Sequence, residues 1–375
     1  MTRSDSFAVL VDIDGAGAHP AAWRAASAPP DELLTARWIT ASVVAAERAG
    51  FTAVTFEDHP LPADRPGGVT ARIDAVIQAS FNAPLTGAIG LVPVVQVAYN
   101  EPFHVATQLA SVDTASHGRA GWIAAADPDP AIAARYGRDA LPAGAQDEEL
   151  ADVVVAVRRL WDSWEDDAVI RDTATGRYLD RDRLHYADFE GHRFSVKGPS
   201  ILPRSPQGQL PVFGFVDTAG VVDTVGVADG ASPADTAAEI DVALVDLIEA
   251  ASGARAQDAR RRVVLQLEVV LDRAGQTAAE RLAALDAHAP WGASAHTRYV
   301  GDAEGLADLL EALADVVDGV RILPAVLDAD LDEIGRAVLP LLRDRGVFTS
   351  PRVGDTLRTS LGLEHPTNRF VEVSR

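Results

Sequence analysis

Short apolar runs rich in β-branched residues alternate along the chain with longer segments in which apolar residues recur every three or four positions. The first pattern predicts buried strands and the second predicts amphipathic helices, an alternation typical of βα units around a parallel sheet. The strands are predicted at Phe7–Ile13, Ala53–Glu57, Thr86–Leu91, Ala120–Ala125, Pro211–Val216, Val227–Gly230, Val263–Val270 and Gly319–Leu323. Helices are predicted at Ala36–Ala49, Glu148–Trp164, Asp235–Ala251, Ala303–Val316 and Asp330–Arg345.

Eight βα units that close on themselves form a (β/α)8 TIM barrel, which is the fold that we predict for this α/β chain. A doubly wound sheet is the alternative, because the sixth run is short and contains Gly230. Residues 165–206 interrupt the alternation and are polar and turn-rich, with a hairpin-like stretch "HYADFEGHRFSVKG". We interpret them as an insertion after unit four, and we expect the tail, residues 349–375, to wrap back over the barrel. The whole chain, residues 1–375, is predicted to form one domain.

The stretch "EPFHVATQLASVDTASHGRAGW" predicts a helix that leads into the fourth strand. Val105, Leu109 and Val112 form one apolar stripe that should face the barrel. Asn100 is a candidate N-cap, and Gly118 is a candidate for a left-handed helix end. Since the connection from a helix to the next strand lies at the bottom of a barrel, we interpret His117 and Arg119 as structural, whereas His104, near the helix start, is left open.

Composition and charge exclude several classes of function. Lys and Arg total 33 against 55 Asp and Glu, a net charge of −22, so nucleic acid and anionic membrane surfaces would repel the chain. There is no cysteine, which excludes thiol nucleophiles, disulfides and thiolate metal sites. His185 and His192 lie seven positions apart in residues 165–206, and without cysteine or a group of three carboxylates beside them no metal site is predicted. The N-terminal apolar run is broken by Asp12 and Asp14, which predicts neither a signal peptide nor a membrane span, and we expect a cytoplasmic protein.

Candidate chemistry should follow the carboxyl end of each strand, where barrel active sites are built. Glu57, Asp58 and His59 are adjacent after the second strand, and a carboxylate beside an imidazole is a plausible acid/base pair. The alternative is a carboxylate that caps the next helix and a histidine that faces solvent. The other strand ends supply Asp14, His19, Trp23, Gln96, Tyr99, Ala125, Phe215 and Thr218.

Three segments closely resemble the bacterial luciferase-like flavin monooxygenases, nearest to the branch of nitrilotriacetate and dibenzothiophene sulfone monooxygenases. They are "TGAIGLVPVVQVAYNEPFHVATQLASVDTASHGRAGW", "LWDSWEDDAVIRDTATGRYLDRDRLHYADFEGHRFSVKGPSILPRSPQGQLPV" and "LRDRGVFTSPRVGDTLRTSLGLEHPTNRF". The resemblance runs through nearly the whole chain. It implies a TIM barrel, a homodimer or homotetramer, and a monooxygenase that receives reduced FMN from a separate flavin reductase and uses O2 on a small organic substrate.

The resemblance also implies roles for individual residues. Asp58 matches a position that lies near the flavin ring in relatives, and with His59 it forms the candidate catalytic pair. Thr218, with the backbone amides up to Gly220, could bind the flavin phosphate at a helix start. The remaining candidates are Gln96, Ala125 and Phe215 for the cofactor and His19, Trp23 and Tyr99 for the substrate.

The chain departs from the family pattern where relatives bind phosphate. It has "IAAADP" where relatives commonly carry Asn, Thr and Ser, and "GFVDTAG" where they carry a Gly-Ser-Ser turn. These departures leave two alternatives open. One is a barrel whose flavin site has degenerated and which acts as a binding or heteromer partner protein, and the other is an oxidoreductase that uses the deazaflavin F420.

Overall fold

The computed structural model describes residues 7–62, 68–127, 129–142, 145–216, 239–257, 260–273, 275–293 and 295–371. Its strands are β1 Ala8–Ile13, β2 Ala53–Phe56, β3 Gly90–Gln96, β4 Trp122–Ala125, β5 Val169–Asp172, β6 Arg177–Leu179, β7 Phe189–Glu190, β8 Ser195–Val196, β9 Val212–Val216, β10 Val242–Val245, β11 Arg262–Leu271, β12 Thr297–Gly301 and β13 Gly319–Pro324. Its α-helices are α1 Ala36–Ala49, α2 Ala75–Asn82, α3 Pro102–Ala115, α4 Pro130–Arg135, α5 Ala145–Asp162, α6 Ile248–Gln257, α7 Ala278–Asp286, α8 Ala303–Leu313, α9 Leu327–Glu333, α10 Leu339–Asp344 and α11 Leu357–Ser360.

The central sheet is a closed parallel barrel of eight strands. The strands run in the order β10, β9, β4, β3, β2, β1, β13 and β11, and pairing of β10 with β11 closes the ring. The predicted TIM barrel is therefore confirmed, and the doubly wound alternative is wrong because such a sheet has two open edges. A further parallel strand, β12, pairs with the upper half of β11.

Alternating side chains of the barrel strands face inward, and these inward positions change character along each strand. Ala8 and Leu10 pack with Val264 and Phe213 in the lower barrel interior, whereas residues such as Val9 pack outward under the helices. The next inward position of β1 is Asp12. The upper end of the barrel interior is thus polar, and it is the end formed by the carboxyl termini of the strands, where barrel enzymes build their sites.

The third predicted strand is misplaced, because Gly90–Gln96 forms the strand and Thr86–Ile89 is a loop. Two side chains hold this loop. The carboxylate of Glu47 accepts the N–H groups of Gly87, Ala88 and Ile89, and Arg119 donates to the Thr86 carbonyl and hydroxyl oxygens. Gln96 consequently lies within the strand and ends it.

The predicted helix Asp235–Ala251 is wrong over Val242–Val245, which forms the sixth barrel strand. All four residues of "VALV" are buried between β9 and β11, so the segment has no polar alternation to mark it as a strand. The predicted sixth strand, Val227–Gly230, lies outside the described residues.

The chain leaves the barrel in two places. Residues 165–206 contain two antiparallel hairpins, β5–β6 and β7–β8, and the second coincides with the hairpin-like stretch seen in the sequence. The tail crosses the lower end of the barrel, where Leu357 and Leu361 of the α11 segment pack among the inward residues. Within the described residues, none of the helices is both long enough and apolar enough to cross a membrane.

Helix α3 carries the predicted buried stripe of Val105, Leu109 and Val112. Its N-cap is Glu101 rather than the predicted Asn100, because the Asn100 amide instead donates to the Gln96 carbonyl oxygen. Gly118 has the predicted left-handed conformation, with φ of +89°. Arg119 is buried below the barrel and donates hydrogen bonds to four backbone carbonyls, which supports its interpretation as structural.

Candidate active site

A cavity of about 550 Å³ lies at the upper end of the barrel, and we call it the mouth cavity. The inward residues that follow the apolar layers of β1, β2, β10, β11 and β13 form its floor and walls. Its lining residues are Asp12, Asp14, Ala18, Pro20, Glu57, Arg72, Phe215, Asp246, Gln266, Glu268, Trp291, His296, Arg321 and Leu323.

Arg321 is the centre of the floor of the mouth cavity. Its guanidinium lies 2.7 Å from Oδ1 of Asp12, 2.9 Å from Oγ1 of Thr55 and 2.6 Å from Oε1 of Gln266, and it also contacts the Glu57 carboxylate. Burial raises the pKa of Asp12 to about 7, against the lowering effect of Arg321 and with a further increase from Glu57. The floor therefore holds two carboxylates on one guanidinium and favours a bound proton at Asp12.

Two further groups of charges form the walls. On one side, Arg72 pairs with Asp14, with Nη2 and Oδ2 3.0 Å apart. On the other side, Arg298 lies behind the wall, 2.6 Å from Oε2 of Glu268 and 4.2 Å from the ring centroid of Trp291. Asp246 accepts from Gln266 Nε2 at 2.5 Å and lies 2.9 Å from Nδ1 of His296.

A smaller cavity of about 280 Å³, the side cavity, lies beyond the ends of β2 and β3. Asp58, Gln96, His104 and Tyr136 are among its lining residues. Burial raises the pKa of Asp58, although its carboxylate accepts the N–H of Ala75 at 3.1 Å. Burial and the facing charge of Asp58 also raise the pKa of Tyr136. Asp58 thus lines a cavity and, in part, caps α2, and its role as an acid/base or cofactor residue stays a prediction.

His59 is held in one orientation at the edge of the barrel end. Its Nδ1 accepts the N–H of Leu61 at 3.1 Å, so the proton of the neutral ring is on Nε2. Nε2 lies 2.8 Å from Oδ2 of Asp127 and donates to it. The pair joins the loop after β2 to the loop after β4, and it occupies both ring nitrogens.

The candidate cofactor residues form an arc over adjacent strands. Asp58 follows β2, Gln96 ends β3, Ala125 ends β4 and Phe215 lies near the end of β9. Gln96 and Ala125 are partners in the β3–β4 register, and Nε2 of Gln96 lies 3.4 Å from the Asp58 carbonyl oxygen. Thr218 and Gly220 lie outside the described residues. The arc offers polar groups at one end and apolar surface at the other, which fits the ring end of a flavin.

The structure does not bring the three candidate substrate residues together. His19 is fully buried, with Nδ1 accepting from the Ala21 N–H and Nε2 3.2 Å from Asp286. Trp23 packs beneath Arg24, and Tyr99 stacks on Tyr136 beside the side cavity. None of the three is among the residues that line the mouth cavity, and their contact with a substrate stays a prediction.

Sequence reasoning missed Arg321, Gln266 and Glu268 as candidate site residues. A signal was present, because each is a polar residue at an inward position of a run that is otherwise apolar, as in "VLQLEVV" and "GVRILP". A charge in a buried strand requires a partner or a function.

A family model, curated relatives and a solved structure all resemble this chain over most of its length. A family model described as luciferase-like monooxygenase matches residues 16–337. N-acetyl-S-(2-succino)cysteine monooxygenase of Bacillus subtilis (strain 168) is 27% identical, over 96% of this chain and 98% of the relative. Nitrilotriacetate monooxygenase component A of Aminobacter aminovorans is 27% identical, over 96% of each. The crystal structure of a riboflavin lyase with modified FMN and riboflavin has a TM-score of 0.79 at 22% identity, over 97% of each chain, and this likeness supports the fold.

Proposed function

The chain belongs to the luciferase-like monooxygenase family, and on that premise we propose that it is an FMN-dependent monooxygenase. In this proposal a separate flavin reductase supplies reduced FMN, and O2 is used to oxygenate a small organic substrate. The predicted family and branch are confirmed by the family model and by the nitrilotriacetate relative. Two full-length relatives are named as monooxygenases, which supports an oxidoreductase.

The observation that carries the proposal is the arc of Asp58, Gln96, Ala125 and Phe215 beside the mouth cavity. The Gln96 amide and the Asp58 carboxyl and carbonyl groups can donate to and accept from the polar edge of the flavin ring system. The short side chain of Ala125 and the ring of Phe215 supply apolar surface for the plane of the ring. The mouth cavity next to Phe215 then gives the substrate a place beside the cofactor.

When bound, reduced FMN would supply the electrons for transfer of one oxygen atom from O2 to the substrate. The residues of this chain would bind and orient the cofactor and the substrate, and they would move protons. Asp58 has a raised pKa, so its carboxyl can hold a proton at higher pH than an exposed aspartate. The His59–Asp127 pair ties the loop after β2, which carries Asp58, to the loop after β4.

An anaerobic titration of the purified protein with reduced FMN, followed by fluorescence, tests this proposal. Oxidised FMN and F420 are titrated in parallel. We expect a Kd for reduced FMN in the micromolar range or below, about −8 kcal/mol of binding free energy. With a flavin reductase and NADH present, the bound flavin should then consume O2.

Two other outcomes would replace the proposal. Tight binding of F420 without binding of FMN would assign the chain to deazaflavin chemistry. If neither cofactor binds, the departures after β4 and β9 would become decisive, and the chain would be a binding or heteromer partner protein. A pull-down with a second, flavin-binding subunit of the same fold would then be the next experiment.

We also propose that the chain forms a homodimer or a homotetramer. Ile77 and Phe81 of α2 and the following Leu85 are spaced four residues apart and are 55%, 52% and 49% exposed. Such an apolar stripe on a helix is typical of an interface. Sedimentation velocity tests it, since Phe81→Asp should shift the protein towards monomer while leaving its circular dichroism spectrum unchanged.

A further inference from the structure

The mouth cavity has an excess of negative charge. Among the lining residues that the structure describes, five carry a carboxyl group and two carry a guanidinium. The two guanidiniums are engaged, because Arg72 pairs with Asp14, and Arg321 is shared between Asp12 and Glu57. On the opposite wall, Glu268 is matched by Arg298 from behind.

Two of these carboxylates remain accessible from the cavity. The Glu57 side chain is 28% exposed and the Asp246 side chain is 44% exposed, whereas Asp12 and Glu268 are buried in the floor and wall. Glu57 shares Arg321 with a second carboxylate, and Asp246 accepts from the neutral amide of Gln266 and contacts His296. A positive group on a bound molecule would therefore find an accessible carboxylate on either side of the cavity.

The cavity also offers an apolar and aromatic surface. Phe215, Leu323 and Trp291 line it together with Pro20. The Trp291 ring packs against the Arg298 guanidinium, which lies behind the wall. The cavity thus combines a cation-attracting polar part with an apolar part, in a volume of about 550 Å³ that suits a small organic molecule.

We propose that Glu57 and Asp246 are specificity-determining residues that select a small organic amine in its protonated form as the substrate. This inference rests on the proposed function, because it assigns the substrate class of the same site. It predicts that carboxylate substrates are rejected, since a carboxylate in the mouth cavity would face Glu57, Asp246 and the charges behind them.

Calorimetric titration with three compounds of the same shape tests the proposal: benzylamine, benzyl alcohol and benzoate at pH 7. Benzylamine should bind about ten-fold more tightly than benzyl alcohol, and benzoate should bind most weakly. Glu57→Gln and Asp246→Asn should each reduce the ratio of amine to alcohol affinity by several-fold. The two residues lie on opposite walls, so a folding defect in one variant leaves the other as a test.

The control is Asp308→Asn, which removes one negative charge from α8. Asp308 is 66% exposed and pairs with Arg345, away from the mouth cavity. The control should retain the wild-type preference. The proposal is overturned if benzylamine does not bind, if benzoate binds as well as benzylamine, or if the preference survives in Glu57→Gln and Asp246→Asn or falls equally in Asp308→Asn.

Titration of the same preparations with reduced FMN separates this inference from the proposed function. Binding of reduced FMN without an amine preference would overturn the inference and leave the monooxygenase proposal intact. An amine preference without binding of any flavin would overturn the monooxygenase proposal and assign the mouth cavity to amine binding alone.

Discussion

The two ends of the barrel each bury a cluster of arginine and carboxylate, but in different proportions. At the lower end, two arginines meet two carboxylates, because Arg158 and Arg358 contact Asp241 at 2.6 Å and 3.1 Å and Arg158 also contacts Glu239 at 3.0 Å. Burial would raise the pKa of Asp241, yet the two guanidiniums outweigh burial and the pKa is lowered. At the upper end, one guanidinium serves two carboxylates, burial dominates, and the pKa of Asp12 is raised to about 7.

The two clusters therefore have different roles, the lower one in stability and the upper one beside the candidate site. The lower cluster pairs each of its carboxylates with an arginine. It ties the tail to the barrel through Arg358, beside the packed side chains of Leu357 and Leu361. The upper cluster holds more carboxyl groups than guanidiniums and borders a cavity. In this fold the lower end generally serves stability and the upper end generally carries the active site. The ratio of arginines to carboxyl groups in the two clusters agrees with that division.

The largest effect is expected from breaking the lower cluster. Asp241→Asn removes the countercharge of the buried Arg358 guanidinium and leaves Arg158 with Glu239 alone, so it should lower the free energy of unfolding by about 3 to 5 kcal/mol. Urea denaturation measures it. Asp308→Asn, which breaks an exposed pair, should cost no more than about 1 kcal/mol. Equal losses in the two variants would mean that the lower cluster is no more important than a surface ion pair.

A slightly smaller effect is expected from the apolar part of the lower end. Leu357 is buried among the inward residues of the barrel, so Leu357→Ala should cost about 2 to 5 kcal/mol. Val353 lies in the same tail and is 83% exposed, and Val353→Ala should change stability by less than about 0.5 kcal/mol. A melting temperature of Leu357→Ala close to that of wild type would show that the tail does not close the barrel.

The two clusters should also respond to pH with opposite signs. Because the pKa of Asp12 is raised, its contribution to stability is complete below the ordinary value of 3.8 and is lost as pH rises through about 7. Because the pKa of Asp241 is lowered, its contribution is present above its ordinary pKa and is lost as pH falls.

The variant Asp12→Asn isolates the pH dependence of stability that comes from the upper cluster. The variant stays neutral at every pH, so the part of the stability change between pH 4 and 8 that is due to Asp12, about 1 to 4 kcal/mol, should disappear. Urea denaturation at several pH values measures it in both proteins. An unchanged slope in Asp12→Asn would assign the pH dependence to other groups.

Much of the barrel could be predicted from the sequence, because a buried strand and an amphipathic helix each leave a local pattern. The two strands that were wrongly predicted also have local causes. Pro93 lies within the third strand, where a proline argues against a strand in the sequence, and the sixth strand consists of four buried residues without alternation. The upper cluster was beyond such reasoning, since Arg321 and Asp12 are 309 positions apart and meet only when β13 pairs with β1. The proximity of Asp58 and Gln96 could be predicted because strand ends converge in a barrel. The position of His19 relative to the mouth cavity depends on packing between loops.

The smallest stability effect is expected at Asp58, which tests whether the upper end can change without loss of the fold. Asp58→Ala removes the acceptor for the Ala75 N–H and should cost about 1 kcal/mol, while Asp58→Asn retains an acceptor and should cost less. If Asp58 contacts the flavin ring, the Kd for reduced FMN should rise about ten-fold or more in Asp58→Ala. Fluorescence titration and thermal melting of the same samples separate the two effects. Unchanged flavin affinity and turnover would remove Asp58 from the site. A stability loss as large as that of Asp241→Asn would show that this part of the upper end is structural, as the lower end is.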